Sequence, residues 1–245
     1  MKKKMSRSLS LVMVFWLVKA IPCLGYFGDV NLKAGLDING TFHLQETSID
    51  FPPDIESPIP VSSLKTPLSV DAKTGFCFGA EVFPFFLPLN KEDNNKHKLG
   101  IGLQYKISRE IDLGFDFIKP PAFAFFPVYL TYQIKPFANS QDEAPKGIFV
   151  KVDLGYSFIQ EDFISFKYNN IQIIPDTAKG GLYYALGIGY ELPSGLSFSL
   201  MFNVYSFKQG VDVVVGDAVE KQRIPVDFDV NYKDIGINIG YKFKI

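Results

Sequence analysis

The sequence predicts an all-β protein, an eight-stranded antiparallel transmembrane up-and-down β-barrel. Eight segments alternate apolar and polar residues, the pattern of strands with one apolar and one polar face. After the N-terminal region no apolar stretch approaches 18 residues, so no membrane helix is expected. The alternation also runs to the last residue, which is unusual for a soluble domain. The apolar face of this final segment consists of Ile235, Ile237, Ile239, Tyr241, Phe243 and Ile245.

The first 25 residues have the composition of a cleaved secretory signal peptide. Lys2, Lys3, Lys4 and Arg7 precede an apolar run at 9–18, which is too short to span a bilayer. Small residues near position 25 favour cleavage just before Tyr26. We therefore expect a signal peptide at 1–25 and a barrel domain at 26–245. The alternative, lipidation of Cys23, is disfavoured because the preceding Ile and Pro fit a lipobox poorly.

Charge and cysteine content exclude several classes of function. The chain has 25 Lys and Arg and 26 Asp and Glu residues, and five of the basic ones but no acidic one lie in 1–25. The exported part therefore carries a net charge of −6. This argues against nucleic acid as a partner, because binding it requires clustered positive charge. Only Cys77 remains after cleavage, so no internal disulfide is expected.

The segments follow one another with long and short connections. In the first segment, Phe42 and Leu44 continue the apolar face. An acidic, proline-rich loop follows at 45–67. The shortest turn is Pro193, Ser194 and Gly195, and the last loop is expected at 209–225. An even strand number places both termini on one side, expected to be the periplasm. The segments are 30–44, 70–82, 99–107, 126–135, 148–157, 182–191, 196–205 and 226–245.

The polar faces decide which side of the barrel meets lipid. They combine charged residues with many glycines, which make poor solvent-facing strands but fit the crowded interior of a narrow cylinder. We therefore predict apolar faces toward lipid rather than toward the ligand cavity of a soluble calycin. Eight strands leave room only for side chains, so the charges are expected to pair in a closed lumen; a narrow pore is the alternative. The predicted lumen charge network is Lys33, Asp37, Asp71, Lys73, Glu81, Lys106, Lys135, Lys151, Asp153, Glu191 and Lys242.

Several segments together resemble the small bacterial outer-membrane β-barrel proteins of the OmpA/OmpX type. They include GFCFGAEVFP at 75–84, KLGIGLQY at 98–105, KGGLYYALGIGYEL at 179–192 and INIGYKFKI at 237–245. The resemblance implies the outer membrane of a Gram-negative-type bacterium, with lipid, lipopolysaccharide and the barrel-assembly machinery as partners. It also implies that the last strand, with Tyr241, Phe243 and Ile245, carries the assembly signal. The final residue departs from this family, in which an aromatic residue is common at that place.

Little in the sequence indicates chemistry. His43 and His97 are the only histidines, and neither lies in a catalytic or metal-ligand pattern. Gly-x-Gly pairs at 100–102 and 187–189 lie inside strands, which excludes a dinucleotide loop. We expect no catalytic, cofactor or metal site. The predicted function is that of an envelope-structural or adhesive surface protein, which acts through its extracellular loops on an unidentified ligand. A narrow transport pore and a lipid-modifying enzyme are the alternatives. The apolar stretch 117–127 is expected against the lipopolysaccharide boundary or over the barrel mouth.

Overall fold

The structure is a computed structural model that describes residues 28–49, 68–86, 96–110, 122–137, 147–162, 166–168, 171–176, 178–216 and 221–244. The predicted signal peptide at 1–25 and the final residue, Ile245, lie outside these ranges. Among the described residues, no helix is long and apolar enough to cross a membrane. The described strands are β1 (Asp29–Ile49), β2 (Leu68–Ala72), β3 (Gly75–Phe86), β4 (His97–Glu110), β5 (Ala122–Ile134), β6 (Gly147–Asp162), β7 (Phe166–Tyr168), β8 (Ile171–Pro175), β9 (Gly181–Glu191), β10 (Leu196–Gly216) and β11 (Lys221–Lys244).

Eight of these strands close into a ring. Its order is β1, β3, β4, β5, β6, β9, β10 and β11, and β11 pairs with β1 to complete it. All neighbouring strands are antiparallel. Asp29 lies opposite Lys244, so both ends of the described chain meet at one end of the barrel, here called the terminal end. The opposite end is called the loop end. The predicted eight-stranded antiparallel barrel is confirmed.

A belt of exposed apolar side chains surrounds the barrel. Leu186 on β9 is 57% exposed, Leu154 on β6 is 56% exposed and Ile239 on β11 is 53% exposed. A contiguous apolar surface of this extent is not stable in water and marks contact with lipid. The inward faces carry buried charges such as Lys106 and Asp153, so the polar side is the interior. This is the arrangement of a transmembrane barrel and the reverse of a soluble calycin.

A bulge in β1 changes which residues face the interior. The β1–β11 register shifts between Ile38 and Thr41, and Asn39 between them has a φ of 52°. One extra residue reverses the side to which later side chains point. Phe42 is therefore fully buried inside the barrel, and Leu44 packs against the same interior cluster. The prediction that these two residues continue the lipid-facing surface is wrong for this reason.

The second predicted segment consists of two strands. β2 and β3 both pair with β1, at successive positions along it, and Lys73 and Thr74 lie between them. β2 lies beside the loop-end part of β1, and β3 lies beside its terminal-end part and forms the barrel wall. The break gives β2 its own orientation, so alternation counted through 70–82 assigns the wrong side to Asp71 and Lys73.

The predicted last loop is instead a long hairpin. β10 and β11 remain paired out to Gly216 and Lys221, and β8 extends this sheet beside Val211–Val215 of β10. The last large apolar side chain exposed on β10 is Phe202. From there to Gly216, β10 continues for roughly 45 Å along the strand at about 3.3 Å per residue. Residues 209–216 and 221–225 therefore belong to a sheet that projects beyond the apolar belt.

An ion pair between an exposed guanidinium and a largely buried carboxylate joins the two strands of this projecting sheet. The Arg223 guanidinium donates a hydrogen bond to the Asp212 carboxylate. This hydrogen bond, together with the positive charge, holds the pKa of Asp212 below its ordinary value. Lys208 and Asp229, whose Nζ and Oδ1 atoms are 3.8 Å apart, form a second cross-strand pair. The outward face of the projecting sheet is thus polar where the barrel below it is apolar.

The belt predicts where a charge is tolerated. Leu186→Arg places a guanidinium against hydrocarbon and should lower the free energy of unfolding by about 2–4 kcal/mol if the position is near the bilayer midplane. Val214→Arg, on the outward face of the projecting sheet, is the control and should change it by less than about 1 kcal/mol. Urea unfolding in phospholipid vesicles measures both. Equal effects would mean that the exposed apolar surface does not face lipid.

Candidate functional site: the barrel lumen

Glu81 of β3 is the centre of the first buried charge cluster. Its carboxylate accepts a hydrogen bond from Lys33 at 2.7 Å, another from Lys151 and a third from the Tyr129 hydroxyl at 2.8 Å. Asp153 lies 3.5 Å from the Lys151 amine. Because Glu81 is only 1% exposed, these charge-assisted bonds replace the water that the carboxylate would otherwise need.

A second cluster is formed by side chains from β1, β4 and β11. Lys106 Nζ is 2.6 Å from Asp234 and 3.2 Å from Asp37. Asp37 also binds Arg109 at 2.5 Å, and Asn203 donates to Asp234 at 2.6 Å. Two carboxylates and two bases thus alternate in space, which neutralises each charge with a neighbour of opposite sign.

The third cluster lies at the terminal end. Glu191 binds two amines, that of Lys135 at 2.9 Å and that of Lys242. Asp29 and Lys98 form a buried pair at 2.5 Å. A small cavity of about 20 Å³ opens between this cluster and the first. It has room for about one water molecule.

The structure places nine of the eleven predicted lumen charges inside the barrel. They are Lys33, Asp37, Glu81, Lys106, Lys135, Lys151, Asp153, Glu191 and Lys242. Asp71 and Lys73 were predicted there but lie outside it. Asp71, opposite Thr41, is exposed, and Lys73 pairs with Glu110 where both side chains are about half exposed. The strand break before β3 is the physical reason.

Four buried lumen charges were missed by the sequence prediction. Asp29 and Asp234 continue the polar faces of the first and last strands, so alternation could have identified both. Lys98 likewise precedes the third segment on its polar face. Arg109 could not be found by alternation, because the β4–β5 register shifts between Lys106 and Arg109 and turns its side chain inward. Its guanidinium is nevertheless almost fully buried.

An aromatic cluster closes the lumen on the loop side of the charges. Phe42 and Tyr232 have ring centroids 4.4 Å apart, and Phe125 stacks on Tyr232 at 4.9 Å. Tyr232 and Tyr205 each lie two residues nearer the loop end than the charge partners Asp234 and Asn203. The cluster, here called the aromatic plug, consists of Phe42, Phe123, Phe125, Tyr205, Phe207 and Tyr232.

The aromatic plug revises the expectation for 117–127. Phe123 and Phe125 belong to β5 rather than to a loop, and their side chains point into the lumen. They lie neither over the barrel mouth nor against the lipid boundary. Residues 117–121 lie outside the described ranges. The plug and the charge clusters touch, since Lys106 Nζ is 4.8 Å from the centroid of the Tyr205 ring, a cation–π distance.

Glycines make room for these large interior side chains. A Cβ atom on Gly75 would lie 1.9 Å from Arg109 Nη1, and one on Gly102 would lie 2.4 Å from the Tyr129 ring. Both contacts are impossible without displacing a buried cation or ring. The glycine-rich polar faces therefore reflect a crowded lumen, as the sequence interpretation assumed.

The histidines and Cys77 are held by ordinary polar contacts. His43 Nδ1 is 2.8 Å from Ser69 Oγ, and His97 Nδ1 is 2.6 Å from the Tyr132 hydroxyl. Cys77 is buried with its sulfur 3.4 Å from Asn238. Within the described part of the chain, no three His, Cys, Asp or Glu side chains are placed to hold a metal ion.

Solved structures show where this geometry occurs. OprG, an outer membrane protein from Pseudomonas aeruginosa, is 17% identical over 89% of this chain and 97% of its own, with a TM-score of 0.55. The fold is that of a small outer-membrane β-barrel. AlkL, whose structure was solved in lipid bilayers, is 13% identical over 89% of this chain and 92% of its own, with a TM-score of 0.45. Ail, the attachment invasion locus protein of Yersinia pestis, is 11% identical over 89% of this chain and 99% of its own, with a TM-score of 0.38. No protein-family model and no curated protein matches the chain.

The Glu81 cluster predicts a large difference between buried and exposed carboxylates. Glu81→Gln leaves the buried Lys33 amine without its acid and Lys151 with Asp153 alone, and should lower the free energy of unfolding by about 3–5 kcal/mol. Glu110→Gln removes the exposed partner of Lys73 and should cost about 0–1 kcal/mol. Urea midpoints in vesicles report both. Equal shifts would show a lumen filled with water, which would favour the narrow pore.

Proposed function

We propose that the protein is a non-enzymatic outer-membrane barrel with a closed lumen, which acts at the cell surface through the sheet projecting from its loop end. The observation that carries this proposal is the obstruction of the lumen at successive levels. The aromatic plug fills it toward the loop end, and three paired charge clusters fill it below.

The obstruction argues against the narrow-pore alternative. A solute crossing the lumen would have to displace the stacked rings of Phe125 and Tyr232 and then separate Glu81 from its two lysines. Breaking a buried pair costs several kcal/mol, far more than a permeation pathway tolerates at each step. The cavity of about 20 Å³ between the clusters is too small to serve as a channel.

The projecting sheet supports a role at the surface. β10 and β11 stay paired well beyond the apolar belt, and β8 and β7 widen the sheet on one side. Paired strands give this region a fixed shape, which lowers the entropy that binding a partner would cost. Its outward face carries Arg223 with Asp212 and Lys208 with Asp229, groups suited to water and to polar partners.

A lipid-modifying enzyme is the weaker alternative. His43 lies near the loop end of β1, whereas His97 begins β4 at the terminal end, so the two imidazoles cannot act on one substrate. Among the described residues, His43 contacts the Ser69 hydroxyl and His97 the Tyr132 hydroxyl, and neither histidine has the acid that would complete a linked nucleophile, base and acid for acyl transfer. Attachment to the envelope lipid, to lipopolysaccharide and to the assembly machinery remains part of the proposal, with Tyr241 and Phe243 on the lipid-facing side of the closing strand.

Conductance and attachment test the two halves of the proposal. The purified barrel, with insertion verified by its heat-modifiable gel migration, should give no steady channel in planar bilayers because the lumen is filled. Replacing 211–226 by a two-residue turn between Gly210 and Asp227, which pair directly, should keep the barrel folded. Cells displaying this shortened protein should attach less to matrix-coated surfaces than cells displaying the full hairpin.

Each measurement can contradict the part of the proposal that it tests. Reproducible unitary conductance would replace the closed barrel with the pore. Unchanged attachment by the shortened protein, with normal heat-modifiable migration, would remove the projecting sheet from the function. The exchange Lys208→Gln, on the same sheet but outside the replaced segment, is the control for unspecific charge effects.

A further inference from the structure

We propose that Glu161 is a proton-dependent latch, which ties the link between β8 and β9 to the barrel wall more firmly when its carboxyl group is protonated. This link is described at Asp176 and at 178–180, and it lies at the base of the projecting sheet. Acid therefore stiffens the attachment of the projecting sheet to the barrel.

The first argument is a gap in the backbone pairing of the barrel wall. β6 pairs with β9 as far as Ser157, opposite Gly181, whereas on its other edge it stays paired with β5 as far as Asp162. β8 pairs with β10 and β7 instead. Among the described residues, no backbone hydrogen bond joins 158–162 of β6 to β8 or to the link. Contacts between these two parts of the wall therefore depend on side chains.

The second argument is that the side chain of Glu161 spans this gap. Its carboxylate accepts a hydrogen bond from the backbone N–H of Ala178 and contacts the side-chain amide of Gln209. The Gln209 amide in turn donates to the carbonyl oxygens of Asp176 and Gly210, both at 2.8 Å. One carboxylate on β6 is thus connected both to the link and to β10.

The third argument is a pair of buried oxygen atoms that lack a hydrogen-bond donor. Glu161 Oε2 and Gln209 Oε1 are both buried without a partner. The orientation of the Gln209 amide is set, because its nitrogen donates to two carbonyl oxygens. Of the two side chains, only the carboxyl group can take up a proton. A proton on Glu161 therefore supplies the donor that this contact lacks.

The surroundings of Glu161 favour the protonated form. Burial raises the pKa of Glu161 above its ordinary value, and the nearby negative charge of Asp176 adds to this shift. The hydrogen bonds from Gln209 and Ala178 act in the opposite direction and only partly offset it. The carboxylate is thus bound by too few donors to make up for its loss of water.

Two cations on adjacent parts of the fold do not relieve this cost. Arg109 lies beyond Phe123 on β4, where it binds Asp37 at 2.5 Å. Lys179, the residue after Ala178 in the link, is exposed to solvent. Protonation is therefore the means by which the Glu161 carboxyl group becomes compatible with its site.

The position of Glu161 allows it to respond to the external medium. Phe158 of β6 is 57% exposed and belongs to the apolar belt. Glu161 follows it by three residues, about 10 Å further toward the loop end at the rise of a strand. The latch therefore lies on the loop side of the belt, where protons can be exchanged with the medium.

The sign of the pH dependence follows from the raised pKa of Glu161. A group with a higher pKa in the closed link than in the open link binds its proton more tightly when the link is closed. The closed state is therefore favoured at acidic pH. This stabilisation is lost as the pH rises through the pKa of the closed state.

Amide exchange of Ala178, measured by NMR on the barrel in lipid nanodiscs, tests the latch. At alkaline pH, Glu161→Gln should slow this exchange about fivefold relative to the wild type, because a neutral amide supplies both the missing donor and the acceptor. At acidic pH the two proteins should exchange alike. Comparison at the same pH cancels the intrinsic pH dependence of exchange. Glu110→Gln, which removes an exposed carboxylate at the loop end, should match the wild type at every pH.

Infrared spectra give a second test that does not depend on exchange. At a pH at which exposed carboxyl groups are ionised, the wild type should show the carbonyl band of a protonated carboxylic acid that is missing from Glu161→Gln. Absence of this band, equal Ala178 exchange in the two proteins at alkaline pH, or a difference that is the same at every pH would each overturn the proposal. Failure of Glu161→Gln to fold, judged by heat-modifiable migration, would also overturn it, because glutamine is the neutral mimic of the protonated acid.

Discussion

The pairing of buried charges is the constraint on which the rest of this barrel depends. Eight strands enclose a space too narrow for bulk water, yet many of the side chains on their inward faces are charged. Each carboxylate must then find a base within the cylinder. Glu81 shows the solution, since its partners come from three other strands and tie distant parts of the ring together.

Other features of the backbone follow from this constraint. The bulge before Arg109 turns that residue inward to reach Asp37, and Gly75 leaves the space that its guanidinium occupies. The bulge at Asn39 brings Phe42 into the aromatic plug, which covers the charges on the loop side. A lumen filled in this way leaves the projecting sheet as the part available for contacts outside the membrane. The filled lumen therefore supports the proposal that the protein acts through the projecting sheet.

The sequence predicted the fold well because alternation is a local property. Segments such as 148–157 and 182–191 stay in phase from end to end, so their inward and outward residues could be assigned by counting. Counting fails wherever one residue is inserted or a strand breaks. Phe42 and Asp71 were misplaced and Arg109 was missed for that reason. The pairing of acids with bases in the lumen could not be predicted either. It depends on the register between strands that are distant in sequence.

The projecting hairpin was missed for a different reason. Residues 209–216 and 221–225 include Gly210, Asp212 and Pro225, residue types that are typical of loops, and only pairing across the hairpin makes them strands. β8 in turn depends on β10 for its hydrogen bonds. Long-range pairing of this kind outweighs local composition.

A double-mutant cycle on Asp37 and Arg109 tests the central claim most directly. The pair is buried and joined at 2.5 Å, so Asp37→Asn and Arg109→Gln should show a coupling energy of about 2–3 kcal/mol in urea unfolding. The same cycle on the exposed pair of Lys73 and Glu110 should give less than about 1 kcal/mol. A coupling energy for Asp37 and Arg109 no larger than that of the exposed pair would contradict the account, because the lumen charges would then be solvated rather than paired.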